Sequence, residues 1–433
     1  MDVSLLATIV LIGGFFLLIL LRVPITFALL ISTLSSALIS GTNLSVMVNQ
    51  MVQGANNFSL LAIPFFILMG EIMNEGGISE KIVDLANLVV GRFRGGLAYV
   101  NVLDSMFFGG LSGSAVADVS SLGSIVIPMM NKQGYKPEFS VSLTVVTACQ
   151  GVLIPPSHNM VIYALAAGGA VTVGNMLIAG LLPGFLLGAA LMVLCFFLAN
   201  HYDFPKGEAG AYKGRVGSII LNAIAPMMIF VIILGGIAAG VFTATESAAV
   251  ACVYTFLITY FLFRSAKLRN FGHVLRRSLK TLAVVMTLIA TAKAFAYMMT
   301  DLRIPDQITA ALLTVTHNKI VLLLLINLLL LVLGCFMDMA PLIMIMTPIL
   351  LPVVTSPSIG MHPVHFGVML IFNLAIGLCT PPVGNALFVG CAVGKTSIEK
   401  TSVAMLPMYG AMIVALLLVT FVPFFSLWLP GLM

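Results

Sequence analysis

The sequence predicts an all-α polytopic membrane protein built from two inverted repeats, with two re-entrant hairpins and two broken transmembrane helices. Three observations predict it. The chain is 60% apolar and only 8% charged, against roughly 45–50% and 25% for a soluble domain. Its 433 residues form apolar runs of the roughly 20 residues that a bilayer crossing needs, enough for about ten or more. Its helix breakers recur at one spacing: Gly151, Pro155, Pro156 and Asn159 are followed 226 residues later by Gly377, Pro381, Pro382 and Asn385. Gly134 and Pro137 match Gly360 and Pro363 at the same offset, and "GGISEKI" falls into register with "LRIPDQI". A fixed long period is the mark of a repeated architecture.

The first repeat occupies residues 1–200. Spans are expected near 3–21, 24–40 and 59–78, making a scaffold over 1–78. The first lacks a basic head and a small-residue cleavage pattern, so it reads as a retained span rather than a secretory signal. "SEKIVDLANLVVGR" is amphipathic and predicts an interfacial arm over 79–94. An apolar stretch broken at "GGLSGSAVAD" predicts a hairpin over 95–131. A run broken at "LIPPSHN" predicts a broken helix over 138–168, and 173–200 reads as a clean span. A polar linker follows over 201–216. The second repeat, 217–433, holds spans within 217–299 (near 217–240, 245–263 and 279–299), an arm over 302–316 and a hairpin over 318–355 broken at "GCFMDMAP". A broken helix over 364–392 carries "CTPPVGN", and a span over 402–428 ends the chain.

Charge gives the topology. If both hairpins enter and leave on one side, all Lys and Arg residues sort to one face except Arg303 and Lys319 opposite and Lys293 within a span. The positive-inside rule makes the crowded face cytoplasmic and both termini external. Each repeat then has five full crossings, an odd number, so the second is inverted relative to the first. The six cysteines lie in apolar runs without a Cys-x-x-Cys pair, which predicts packed thiols rather than a disulfide framework or zinc site.

Within hydrocarbon an unpaired amide costs several kcal/mol, so irregular chain persists only when buried or lining a polar cavity. Proline removes a donor and drives the residue before it out of helical geometry. Each Pro-Pro pair therefore frees carbonyls at mid-span, which suit a hard cation such as Na⁺, while half-helix N-termini offer amides to an anion. Discontinuous helices at equivalent places of two inverted repeats are the signature of a secondary transporter. The hairpin tips supply companions. Ser112, Gly113 and Ser114 are expected with Pro155, Ser157 and Asn159 around one cation, and Gly334 and Asp338 with Thr380, Pro381, Gly384 and Asn385 around another, with two or more Na⁺ ions in all. The substrate is expected between them, with Ser114, Asp118, His158, Asn159, Lys293, Arg303 and Asp338 as candidate contacts. An acid at membrane depth, as at Asp338, is functional by default. Glu71 and Glu246 read as structural helix-end partners.

"RVPITFAL", "LLAIPFFILMGEIMNEGGIS", "GGLSGSAVADVSSLGSIVIPMM", "IPPS", "GVFTATESAAVA" and "HFGV…IGLCTPPVGNALFV" together resemble the large membrane subunit, the DctM-like M subunit, of tripartite ATP-independent periplasmic (TRAP) transporters. The resemblance runs nearly end to end. It implies an elevator-type transporter in the bacterial inner membrane, driven by Na⁺, with both termini periplasmic. It also implies a small four-helix membrane subunit, here expected as a separate protein, and a periplasmic substrate-binding protein. The implied cargo is an organic acid: a dicarboxylate or keto acid, or a sugar acid such as sialic acid. The chain departs from many members by His158 and Asn159 after "IPPS" and by "TATE" at Thr243–Glu246 where the family tends to "TPTE".

Membrane lipid is an expected partner, and nucleic acid is not. Neither enzyme activity nor ATP use by this chain is expected: it carries no Gly-x-x-x-x-Gly-Lys-Ser/Thr loop. An intramembrane serine protease is the rival that "GLSGS" and His158 suggest, but the second repeat replaces those serines with "GCFMD". An ion channel or pump subunit is the other alternative, separated from a coupled carrier by non-saturating flux.

Overall fold

The computed structural model describes residues 3–206, 216–315 and 318–432. Residues 207–215 of the expected linker, with its Lys213 and Arg215, and residue 316 at the end of the second arm lie outside the described residues. Among the described residues the chain is helical, with one isolated backbone bridge between Arg94 and Lys206.

In chain order the helices are α1 (Val3–Leu20), α2 (Ile25–Ser40), α3 (Leu44–Ala55), α4 (Ala62–Glu75) and the arm α5 (Ile78–Val90). The first hairpin is α6 (Gly96–Ser112) and α7 (Ala115–Lys132). The first broken helix is α8 (Pro137–Ala148), a short α9 (Gln150–Leu153) and α10 (His158–Ala166), and α11 (Val173–Ala179) leads into α12 (Leu181–His201). The second repeat opens with α13 (Val216–Phe230), which continues through a π-helical turn into α14 (Gly236–Ala238), then α15 (Ala244–Leu257) and α16 (Phe271–Asp301). The arm α17 (Ile304–Val315), hairpin α18 (Lys319–Gly334) and α19 (Met339–Thr355), and halves α20 (Pro363–Leu378) and α21 (Asn385–Gly394) follow. The described chain closes with α22 (Ile398–Phe421) and α23 (Phe424–Leu427).

Among the described residues, seven helical segments are long and apolar enough to cross a membrane, or eight if 137–153 and 158–166, bent by 49° at the break, count as one span. The sequence suggests about ten. The difference lies in shorter apolar helices of 10–17 residues, namely α2, α18, α19, α20 and α21, all but α2 from the second repeat's hairpin and broken helix. Two further departures bear on the site. Residues 44–55, unassigned from the sequence, form the amphipathic α3, capped by Asn43, whose side chain accepts from the Ser45 amide. Helix α16 begins eight residues before the expected span at 279, so its 31 residues extend roughly 46 Å, well beyond a 30 Å hydrocarbon core.

Helices α1 to α4 pack with α15 and α16, while the hairpins and broken helices interlock around α8 and α20. Helix α10, after the first break, packs against α19 of the second hairpin, and α21 packs against α7 of the first. Every residue from Phe139 to Ser157 and from Val364 to Cys379 is buried. Helices apolar all round belong at the centre of a fold.

Two contacts repeat at or near the 226-residue offset, and a third joins equivalent positions of the two copies. In α6 and α9, a Cβ on Gly151 would lie 2.3 Å from the Gly109 Cα; in α18 and α20, one on Gly377 would lie 2.8 Å from the Gly334 Cα. Only glycine permits backbones this close. The Asn101 amide donates to Thr144 Oγ1 (2.7 Å) and its oxygen accepts from Thr147 Oγ1 (3.1 Å). In the second repeat the Asn373 amide donates to both the carbonyl and the side-chain oxygen of Asn327 (2.9 Å each). Cys149 Sγ donates to the Ala375 carbonyl at 3.1 Å, its own position in the other repeat. A residue that meets its counterpart lies on the axis relating the two copies. The cysteines are free, five of them buried and Cys335 half-buried, as packed thiols would be.

Gly151→Ala should reduce stability in detergent by about 1–3 kcal/mol through overpacking of the α6–α9 crossing. Gly410→Ala, on α22 where an added Cβ meets nothing within 4 Å, should be neutral or stabilising by about 0.5–1 kcal/mol. Thermal melts of both variants beside the parent check the contrast.

Candidate functional site

Both hairpin tips and the first break border one cavity of ≈ 840 Å³. Ser112 and Ser114 come from the first tip, His158 from the start of α10, and Asp338 from the second tip. The opposite wall is two helical stripes: Ile67, Gly70, Glu71, Asn74 and Glu75 on α4, and Arg277, Lys280, Thr281, Val284 and Val285 on α16. Spacings of three and four place each set on one face of its helix.

The first tip turns through Gly113 (φ 64°), which caps α6. A Cβ there would lie 2.6 Å from the Pro156 carbonyl oxygen, so the tip rests directly on the break. Ser114 is the N-cap of α7, accepting from the Ala117 amide at 3.4 Å, and Ser112 Oγ accepts from the Ser114 amide at 3.3 Å. The hydroxyl that a protease reading needs as nucleophile thus serves as a cap. Pro155, Ser157 and Asn159 are buried behind this tip. Ser157 is 0% exposed, and its hydroxyl has no hydrogen-bond partner within the protein. A buried polar atom left unpaired is costly, so this oxygen beside the first tip has spare capacity for a ligand.

The second tip is organised differently. Asp338 is the N-cap of α19, yet its side chain makes no capping bond; Oδ1 instead accepts from the Asn385 amide at 3.2 Å. The Cys335 carbonyl accepts from the Val383 amide at 3.0 Å, so tip and break are joined by backbone and side chain. Gly334 supplies the close crossing beneath. Thr380 Oγ1 bonds back to the Ile376 carbonyl at 2.7 Å, Pro381 is partly exposed, and Gly384 (φ 25°) caps α21. The two breaks differ in setting: 154–157 is buried throughout, whereas Pro382 and Val383 are exposed.

Four of the expected substrate contacts, Asp118, Asn159, Lys293 and Arg303, do not line this cavity. Asp118 lies behind the first tip, 1% exposed, with neither carboxyl oxygen hydrogen-bonded within the protein. Lys293 packs where α16 crosses α3, its Cβ 2.7 Å from where a Cβ on Gly54 would stand. Thirteen residues beyond Lys280, it is roughly 20 Å further along the helix. Arg303 occupies the exposed turn between α16 and α17, further still. Asn159 is buried rather than facing the cavity.

Four charged residues of the cavity escape the sequence reading as site residues. Arg277 Nε lies 3.1 Å from Glu71 Oε2 and its Nη2 2.8 Å from Glu75 Oε2, while the Asn270 amide donates to Glu75 Oε1 at 3.2 Å. Glu71, one turn from the end of α4, is an ion-pair partner of Arg277 on the cavity wall. Glu246 is a helix-end partner, closing a capping box with Thr243. From the sequence Arg277 and Lys280 sort only as cytoplasmic charges, the first before and the second at the start of the span expected from 279; the α16 stripe of 277, 280, 281, 284 and 285 is the signal that places both on the wall. Asp104, 0% exposed with both oxygens unpaired within the protein, is an acid at membrane depth to which the reasoning used for Asp338 applies equally.

The family model for the "Tripartite ATP-independent periplasmic transporter, DctM component" matches residues 12–425. The chain belongs to the DctM family. Among relatives of this DctM-family chain, the protein YgiK of Salmonella typhimurium is 41% identical over 98% of this chain and 97% of its own length. The C4-dicarboxylate TRAP transporter large permease DctM of Vibrio cholerae is 39% identical over 88% and 87%. The sialic acid TRAP transporter large permease SiaM of the same organism is 36% identical over 94% and 95%. Among solved structures, Neisseria gonorrhoeae MtrF superposes with a TM-score of 0.59 over 91% of this chain and 85% of its own at 12% identity, a likeness of fold. The DctM-family chain is thus an all-α, multi-pass TRAP large permease whose hairpin tips share one cavity.

In this permease, a double-mutant cycle of Arg277→Ala with Glu71→Gln should give a coupling energy of about 0.5–1 kcal/mol, the scale of a partly exposed ion pair. Chemical or thermal unfolding of the four proteins measures it.

Proposed function

We propose that this chain is the carrier of a Na⁺-coupled uptake system for a small organic acid in the bacterial inner membrane, working by an elevator movement. The observation that carries this reading is the convergence of Ser112, Ser114, His158 and Asp338, from both hairpins and the first break, on one cavity. Neither half of the chain alone builds that cavity.

The oxygen chemistry supports Na⁺ as co-transported ion. The unpaired Ser157 hydroxyl beside the Pro156 carbonyl and the first tip suits a hard cation. So does the Asp338 carboxylate held by Asn385. The arrangement of two packed sets supports the elevator. The interlocked hairpins and broken helices meet the α4–α16 wall at the cavity and at Gly70, where an added Cβ would stand 3.4 Å from the Ser112 carbonyl oxygen. Helix α16 also packs on α19, and α4 on α6 and α10; a boundary between helices that is partly polar at the cavity allows one set to slide past the other. Arg277 and Lys280 at the cavity belong to the basic face, which the positive-inside rule makes cytoplasmic, so the conformation described reads as open inward.

The tripartite family description supports two partners, a small four-helix membrane subunit and a periplasmic substrate-binding protein. Relatives named for sialic acid and for C4-dicarboxylates support an organic acid as cargo.

Proteoliposomes carrying the chain with both partners provide the test. Uptake should require an inward Na⁺ gradient and proceed without ATP; accumulation that survives collapse of the gradient sinks the reading. Asp338→Ala should lower uptake at limiting Na⁺ about tenfold or more, the loss of one charge-assisted contact, with insertion into the membrane unchanged.

A further inference from the structure

We infer that the cavity selects a polyhydroxylated monocarboxylate over a four-carbon dicarboxylate, and that Lys280 is the residue that receives its carboxylate. The inference rests on the carrier reading above and names the substrate class within it.

Charge comes first. The charged side chains on the cavity wall, histidine aside, are Glu71, Glu75, Asp338, Arg277 and Lys280. Arg277 is engaged by both glutamates at 3.1 and 2.8 Å, and that trio already carries one net negative charge. Asp338 adds a second, held by Asn385. Among the described residues of the wall, Lys280 is the one cation without a carboxylate partner. One free cation accommodates one carboxylate. With Arg277 held by two glutamates, a second carboxylate on the same small molecule finds no further free cation on the protein wall and depends on co-bound Na⁺ for its neutralisation.

The remaining wall is suited to hydroxyls. Ser112, Ser114, Ser120, Ser121 and Thr281 line it; Ser120 donates to the Ala117 carbonyl and Ser121 pairs with Ser79, and each hydroxyl oxygen keeps acceptor capacity for a ligand hydroxyl. A site built to hydrogen-bond hydroxyls discriminates strongly against a ligand that leaves those groups unpaired. Size agrees. At ≈ 840 Å³ the space lies in the upper part of the roughly 300–1,000 Å³ range of ligand pockets and has room for a ligand as large as a sugar acid.

The test measures binding to the purified chain with its small membrane subunit, leaving out the soluble binding protein so that its selectivity does not intervene. Thermal shift and calorimetry in Na⁺ buffer compare D-glucuronate and N-acetylneuraminate with succinate and L-malate. A polyhydroxylated monoacid should stabilise the protein saturably, and the diacids should bind about tenfold more weakly or worse. Lys280→Gln should weaken the sugar acid about tenfold, the cost of one charge-assisted hydrogen bond, while Lys280→Arg should keep it within about threefold. Thermal melts of both variants without ligand should match the parent, separating lost recognition from lost folding. Preferred binding of succinate or malate, or unchanged sugar-acid affinity in Lys280→Gln, overturns the inference and leaves the carrier reading standing. No Na⁺-dependent binding of either class overturns both.

Discussion

Every unusual feature of this chain depends on the pairing of backbone in hydrocarbon. A helix interrupted at mid-span exposes amides and carbonyls that lipid cannot satisfy, so each Pro-Pro break needs a polar or protein neighbour. Here each repeat supplies that neighbour through its own hairpin, as Gly113 against Pro156 and as the Cys335 carbonyl bonded to Val383. The half-helix after each break then packs on the other repeat's hairpin. Neither copy packs the half-helix after its break alone, which binds duplication and fold together. The Gly109–Gly151 and Gly334–Gly377 crossings follow, because the hairpin reaches the break only if two backbones touch.

The same constraint explains which parts of the fold were legible. Breakers act locally: proline, glycine and small-residue clusters announce their geometry wherever they stand. The hairpin tips at 112–114 and 334–338, the breaks at 154–157 and 380–384, and the 226-residue offset could therefore be read from residues alone. The Asn327–Asn373 brace could not, since its counterpart is Asn101–Thr147 and only the positions agree. Nor could α3, whose polar face resembles a loop until α16 covers its other side.

The site was less legible for a physical reason. Which face a charged residue shows depends on where its helix begins. With α16 begun at 279, Arg277 reads as loop charge and Lys293 as a buried cation near the substrate. Begun at Phe271, the helix turns Arg277 and Lys280 toward the tips and leaves Lys293 against α3. Two turns missed at the helix start thus hid Arg277 as a wall residue, while packing against α3 sets Lys293 about 20 Å along the helix from Lys280. Asp118 illustrates the other limit: depth in the membrane follows from sequence, but which side of a hairpin a carboxylate occupies is decided by packing behind it.

The length of α16 carries a consequence for the lipid surroundings. Its rise per residue is fixed by internal hydrogen bonds, so the rod keeps its length whatever the bilayer does. Helices longer than the local hydrocarbon respond by tilting or by thickening the lipid around them. With Arg277 and Lys280 near one end and Lys293 towards the other, α16 acts as a gauge of bilayer thickness. A thinner membrane tips the gauge, and with it the wall of Arg277 and Lys280 that faces the hairpin tips.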